Sequence, residues 1–225
     1  LSRIDPSWYP TRLVERISSK SFRVIRSDSA LFEAKRGYIT FSHRWGDDKF
    51  AKLTKNNLSA LQRGSPIRTL SKSFQDAMII AERLGIAYVW IDSLCIIQSG
   101  DNGEDWRRES MTMAQVYSNS YCNISADWGD EFGGLFYKRT PIFEPPCKIS
   151  LDGGECYVTR ARGWSENLME SPLNRRGWVL QERLLAPRVM HFSPQQVSWE
   201  CGQKLAWEIR IWVSTIQATL LRLTD

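Results

Sequence analysis

The sequence predicts an α/β fold, a mostly parallel sheet flanked by helices, with a β-rich elaboration toward the C-terminal end. Three observations point there. Strand-like and helix-like patterns alternate as β-α-β-α-β between Gly37 and Ala126, an order that favours parallel pairing through right-handed crossovers. The run from Ile86 to Ile91 is almost continuously apolar, as in strands covered on both faces. After Trp128 the pattern gives way to a Gly-rich loop and short strand candidates.

Gly37-Tyr-Ile-Thr-Phe-Ser42 is β-branched and aromatic, so it reads as a strand, ended by the polar cluster His43-Arg44-Trp45-Gly46-Asp47-Asp48. Phe74, Ala77, Met78, Ala81 and Leu84 recur at helical spacing, with Ser71 or Ser73 as N-cap and Gly85 as terminator. The apolar run to Ile91 is the second strand, and Asp92 stops it. From Glu104 to Tyr117 the spacing predicts one helix with Trp106, Ser110, Met113, Ala114 and Tyr117 on one face and acidic residues in its first turn. Tyr121 to Ala126 is the third strand.

Beyond Gly129, Gly133 and Gly134, two strands from Cys147 to Leu151 and Glu155 to Thr159 are expected to join as a hairpin through Asp152-Gly153-Gly154. Arg175 to Leu185 reads as a helix carrying Trp178, Gln181, Glu182 and Leu185 at three-to-four spacing, closed by Pro187. Arg188 to Phe192 and Gln196 to Cys201 follow as strands. From Leu205 onward the pattern fixes nothing.

With 225 residues and 42% hydrophobic content, the chain can build one substantial core, so a single domain is expected over 1–225. Neither terminus looks like a natural chain end, and we expect a domain cut from something longer. Residues 1–75 carry 15 Lys/Arg against 6 Asp/Glu, a balance of +9, and the remainder carries 15 against 19, a balance of −4. A solvated basic surface accounts for this, because no nucleic-acid motif accompanies the charge and nucleic acid is not expected as a partner. Five cysteines with no CxxC spacing and two histidines argue against zinc and suit a reducing compartment. No apolar run approaches the roughly 20 residues of a spanning helix and no signal-peptide pattern opens the chain, so a cytoplasmic protein is expected.

Ligands of open α/β sheets gather outside the carboxyl ends of the strands. Here those ends offer Arg44 and Trp45, then Asp92, then Asp127 and Trp128. An Arg presents a fork for phosphate or carboxylate, a Trp presents a stacking face, and an Asp can hold hydroxyls, a set that suits a nucleotide with a ribose. Asp92 has a second reading, as the cap of its own turn, and Trp90, inside the apolar strand, reads as core. The signatures GxGxxG, GxxxxGK[ST] and GxSxG are absent, which disfavours dinucleotide-binding dehydrogenases, P-loop NTPases and serine hydrolases.

Three blocks together resemble the fungal HET (heterokaryon incompatibility) domain. They are Tyr38-Ile-Thr-Phe-Ser-His-Arg-Trp-Gly46; Leu84-Gly-Ile-Ala-Tyr-Val-Trp-Ile-Asp-Ser-Leu-Cys-Ile-Ile-Gln98; and Leu173-Asn-Arg-Arg-Gly-Trp-Val-Leu-Gln-Glu-Arg-Leu-Leu185. A weaker fourth match runs from Met113 to Ala126. The blocks stand in the family's order over roughly residues 37 to 201, and Ile97 departs from it where the family usually carries an acid. The resemblance implies a death-effector role in non-self recognition, self-association, and a sensor partner of unknown identity.

The same resemblance implies a distant likeness to TIR domains, with their flavodoxin-like sheet and, in some members, cleavage of NAD by a Glu in a Trp-x-x-x-Glu helix. Trp178-Val-Leu-Gln-Glu182 has that spacing. Glu182 is then the catalytic carboxylate. Phosphates are expected near Arg44, a ring on Trp45 or Trp178, and Asp92 in support, with Ser42 and His43 alongside. NAD enters as substrate, and no cofactor or metal is expected. Two alternatives stay open: a Glu182 that merely pairs at the surface with Arg183, Arg176 or Arg188, and a signalling module that kills by assembly without enzymatic activity.

Overall fold

Two strands precede the first one expected from the sequence. β1 (Arg12–Arg16) and β2 (Ser21–Arg26) pair as an antiparallel hairpin whose Leu13, Val14, Phe22, Val24 and Ile25 are buried. Arg12 and Glu15 are buried with them. The Arg12 guanidinium forks onto Asp105 at 2.7 and 2.9 Å and donates to the Cys95 carbonyl at 2.8 Å, while Glu15 accepts from Arg23 at 2.6 Å. Buried charges persist only when paired in this way.

The computed structural model describes residues 5, 7–44, 51–128, 133–137, 147–151, 154–158, 171–194 and 196–207. After the hairpin come β3 (Tyr38–Ser42), α1 (Leu58–Arg63), β4 (Ser65–Pro66), α2 (Lys72–Arg83), β5 (Tyr88–Trp90), α3 (Asp92–Cys95), α4 (Glu104–Ser110), α5 (Met113–Ser118) and β6 (Asn123–Ala126). β7 (Cys147–Leu151) and β8 (Gly154–Val158) pair antiparallel as the expected hairpin, in a small sheet of their own. α6 (Gly177–Leu185), β9 (Arg188–Phe192), β10 (Val197–Cys201) and β11 (Lys204–Trp207) complete the described chain.

The main sheet has nine strands in the order β11-β10-β9-β6-β3-β5-β1-β2-β4. Its centre, β9-β6-β3-β5, is parallel. Both flanks are antiparallel, with β1, β2 and β4 added at one edge and β10 and β11 at the other. The sheet is therefore mixed rather than mostly parallel, because the N-terminal hairpin and the C-terminal meander each extend the parallel core antiparallel. Within that core the first strand in chain order, β3, lies between the second, β5, and the third, β6. The order in which strands are added reverses at β3, which makes this the switch point of a doubly wound sheet.

α2 begins as the sequence predicts. Ser71 accepts from the Phe74 amide at 3.4 Å, and Gly85, at φ 72°, ends the helix. The expected helix from Glu104 to Tyr117 is in fact two, α4 and α5, parted where the Thr112 amide and hydroxyl both turn back onto the Glu109 carbonyl, at 3.0 and 2.9 Å. α4 also faces differently than expected. Trp106 is 50% exposed and Asp105 points inward, since Asp105 is the counterion of buried Arg12.

Alternation along β3 and β5 separates two layers. Phe41 and His43 pack edge-on against Phe74 of α2. On the other face Tyr38 donates to the Val116 carbonyl of α5 at 2.7 Å, and Trp90, buried as expected, meets Tyr117 edge-on at 5.8 Å. α5 and α6 lie side by side over this second face. Cys95 and Cys122 are buried apolar-like thiols, each pushed up to about 12 chiefly by desolvation. Among the described residues no helix is long and apolar enough to cross a membrane.

Candidate functional site

β3 ends in Ser42, and residues two apart on a strand share a face, so Thr40 and Ser42 both point toward α5 and α6. In the parallel register Thr40 lies opposite Asn123 of β6. The Thr40 hydroxyl donates to Asn123 Oδ1 at 3.0 Å, and Asn123 Nδ2 donates to Ser42 Oγ at 3.0 Å. Ser42 is thereby set to pass its own proton onward, and it donates to Glu182 Oε2. Tyr117, buried on α5, hydrogen-bonds the same carboxylate. Side chains from β3 and α5 thus converge on one carboxylate from α6 at the switch point, with Asn123 of β6 behind Ser42.

Glu182 is 9% exposed, so the surface-pairing alternative does not hold. Each arginine proposed for it is engaged elsewhere. Arg183 forks onto Glu200 at 2.7 and 2.9 Å, Arg188 donates to the Tyr121 carbonyl at 3.0 Å, and Arg176 donates to the His43 carbonyl at 2.6 Å while acting on Glu182 only through space. Burial raises the Glu182 carboxyl above its ordinary value, and the charge of Asp92 adds to that. The bonds from Ser42 and Tyr117 and the field of Arg176 pull the other way without cancelling it.

The remaining residues divide. Asp92 Oδ1 accepts from the Ser93 amide at 2.7 Å within its own turn, and its charge reaches Glu182. The buried His43 ring lies with Nδ1 3.7 Å from Asp92 Oδ1 and stacks on Phe41. Arg44 is exposed just beyond β3. Trp45 lies outside the described residues. Trp178 stands one turn before Glu182 on α6 and is 60% exposed. The sequence did not single out Thr40, Tyr117, Asn123 or Arg176 as site residues. The detectable signal was a polar residue at every second position of β3, in a strand otherwise apolar.

A second polar network lies beside the first, on the same sheet face. Ser125 pairs with Ser42 in register on one side and with His191 of β9 on the other. Ser125 donates to Asp127 Oδ1 at 2.6 Å. His191 Nδ1 lies 3.3 Å from that oxygen, and its Nε2 lies 3.2 Å from Glu200 Oε2, which Arg183 clamps. Burial works against a charged His191, but bonds to Asp127 and Glu200 outweigh it and raise its pKa. Glu200 is pushed up by burial and pulled down further by His191 and Arg183, to about 2. Among the described residues no group of three or more His, Cys, Asp or Glu is placed to hold a metal ion. A basic cleft at the far sheet edge, with Lys20, Arg63 and Arg68 in its lining, contains none of the residues around Glu182.

Searches among curated proteins and among solved structures return no match. The chain does match the family described as Heterokaryon incompatibility protein (HET) over residues 38–182, from the first residue of β3 to the buried carboxylate itself. That span covers more than half of the sequence, and the chain belongs to the HET family, whose domain is implicated in heterokaryon incompatibility and cell death.

Proposed function

We propose that this domain acts in incompatibility by cleaving NAD at the bond between nicotinamide and ribose, with Glu182 as the catalytic carboxylate. One observation carries the reading: a carboxylate buried at the switch point of the parallel sheet, held by neutral hydroxyls and bonded by no cation among the described residues. Ligands of doubly wound sheets bind at that point. The resemblance to TIR domains, through Trp178-Val-Leu-Gln-Glu182, supplies the substrate class.

In the reaction the C–N bond to ribose breaks and its electron pair leaves with neutral nicotinamide. Water then forms the new C–O bond and releases a proton. The ribose carbon passes through an oxocarbenium-like centre, which an adjacent carboxylate stabilises. A pyridinium leaving group needs no general acid. Arg44 beyond β3 is assigned to the phosphates, Trp45 or Trp178 to a ring, and Asp92 and His43 to the wall behind Glu182. Purified protein at high concentration, where self-association is favoured, should release nicotinamide from NAD, and Glu182→Gln should abolish it.

A second reading has its own support. Leu180 and Leu184 sit one turn apart on α6 and are 61% and 70% exposed, an apolar stripe suited to assembly without enzymatic activity. Killing by Glu182→Gln protein at full potency would favour this reading over cleavage.

A further inference from the structure

Glu182 and Arg183 are neighbours on α6 and turn into different networks. Ser42 and Tyr117 hold the first, and Glu200 of β10 holds the second with a two-pronged grip. The grip has a backing. Behind Glu200 stands His191 of β9, and behind His191 stands Asp127 at the end of β6, whose carbonyl also accepts from the Leu173 amide leading into α6, at 3.2 Å. The approach to α6 and its second turn are therefore tied to one chain of contacts.

The chemistry of that chain depends on one proton. Both ring nitrogens of His191 face carboxylate oxygens, at 3.3 and 3.2 Å. A neutral imidazole has one N–H, so it leaves a lone pair pointing at one carboxylate, whereas the imidazolium donates to both. Among the described residues the charged groups around the ring include Asp127 from the end of β6, Glu200 from β10 and, through Glu200, Arg183 from α6.

We propose that Asp127, His191, Glu200 and Arg183 form a latch that positions Glu182, closed by the imidazolium of His191 and loosened when that proton leaves. His191 is a positioning residue, since it acts on the carboxylate only through Arg183 and the helix. The folded state raises its pKa, so the stabilisation it provides is fully present below about 6.5 and is lost as pH rises through the higher folded value. Glu200, pulled down to about 2, keeps its charge throughout that range.

Only His43 and His191 occur in the chain, so a histidine NMR titration with His191→Gln as reference identifies each resonance. His191 should titrate above 6.5. Amide exchange across residues 179–186, corrected for its intrinsic pH dependence, should quicken roughly tenfold as His191 deprotonates, while the β1–β2 hairpin stays unchanged. His191→Gln should show the faster exchange at every pH. If that variant does not fold, Arg183→Lys, which keeps the charge but not the fork, should show it instead. A His191 titrating at or below 6.5, or α6 protection indifferent to pH and to both variants, overturns the latch.

The activity arm rests on the NAD-cleaving reading. Nicotinamide release should fall on an alkaline limb that follows the His191 titration, through kcat rather than KM, and His191→Gln should lack that limb. An alkaline limb unchanged in His191→Gln counts against the latch. Absence of release from the native protein overturns the cleavage reading instead, and the exchange and titration results then decide the latch alone.

Discussion

The two polar networks on the α5–α6 face of the sheet are built from similar parts and balanced in opposite ways. Around Glu200, a guanidinium and an imidazole meet the carboxylate directly and hold it far below the ordinary range, to about 2. Around Glu182, hydroxyls do the holding, one of them oriented by the Asn123 amide, burial dominates, and the carboxyl is raised. Charge compensation stabilises the first arrangement, whereas the second leaves a desolvated anion that the fold tolerates rather than exploits. Sites that perform chemistry are where such imbalance is expected, since a carboxylate already satisfied by an arginine has little left to offer a developing cation.

The sharpest way to break the contrast is to remove what lies beneath the Glu182 network. Trp90 is buried against Tyr117, which bonds Glu182. Trp90→Ala should destabilise the protein by about 3–5 kcal/mol through the cavity it leaves, measured by urea unfolding. A fully stable variant would show that the ring is not part of a packed core.

Next in size is Glu182→Gln. If the carboxylate stabilises the ribose cation, the barrier should rise by about 3–4 kcal/mol, a rate loss on the order of 10²–10³. Melting temperature should hold or increase, because the amide keeps the shape and removes a buried charge. Undiminished nicotinamide release would sink the catalytic assignment. In the Glu200 network the sign reverses. Arg183→Met strips a partly buried carboxylate of its fork and should cost about 2–3 kcal/mol of stability, below the 3–5 of a fully buried pair. An unaltered melting temperature would place Arg183 among ordinary surface ion pairs.

How much of this was legible in the sequence follows from where the information lies. The parallel core was, because Ile86–Ile91 and the α2 spacing are local patterns and β3, α2, β5 and β6 stand where they point. The β1–β2 hairpin was not: its charges look like solvated positions until Arg12 finds Asp105, 93 residues away. The same holds within the site. Glu182 was legible through its spacing from Trp178 and the resemblance of its block, and Ser42 through its place at a strand end. Asn123 and Tyr117 join them through strand register and helix packing, with Thr40 and Asn123 separated by 83 residues. No local pattern encodes such pairs.

The smallest effect is also the most diagnostic, because it tests the comparison by sign. The fold raises the Glu182 carboxyl, so the stability this group supplies is fully present below about 4.5 and lost as pH rises through its folded value. Glu182→Gln should therefore match or trail the native protein in acid and gain on it as pH climbs past that value, then run parallel. Glu200 is depressed, so its contribution is complete above about 4.5 and disappears only as pH falls through about 2. Glu200→Gln should trail the native protein across the neutral range, with the deficit closing only toward the acid end. Paired unfolding curves between pH 3 and pH 8 read both trends. If the two stability differences move in the same direction with pH, the two carboxylates are held alike, and nothing in their electrostatics would then single out Glu182 as the group that acts.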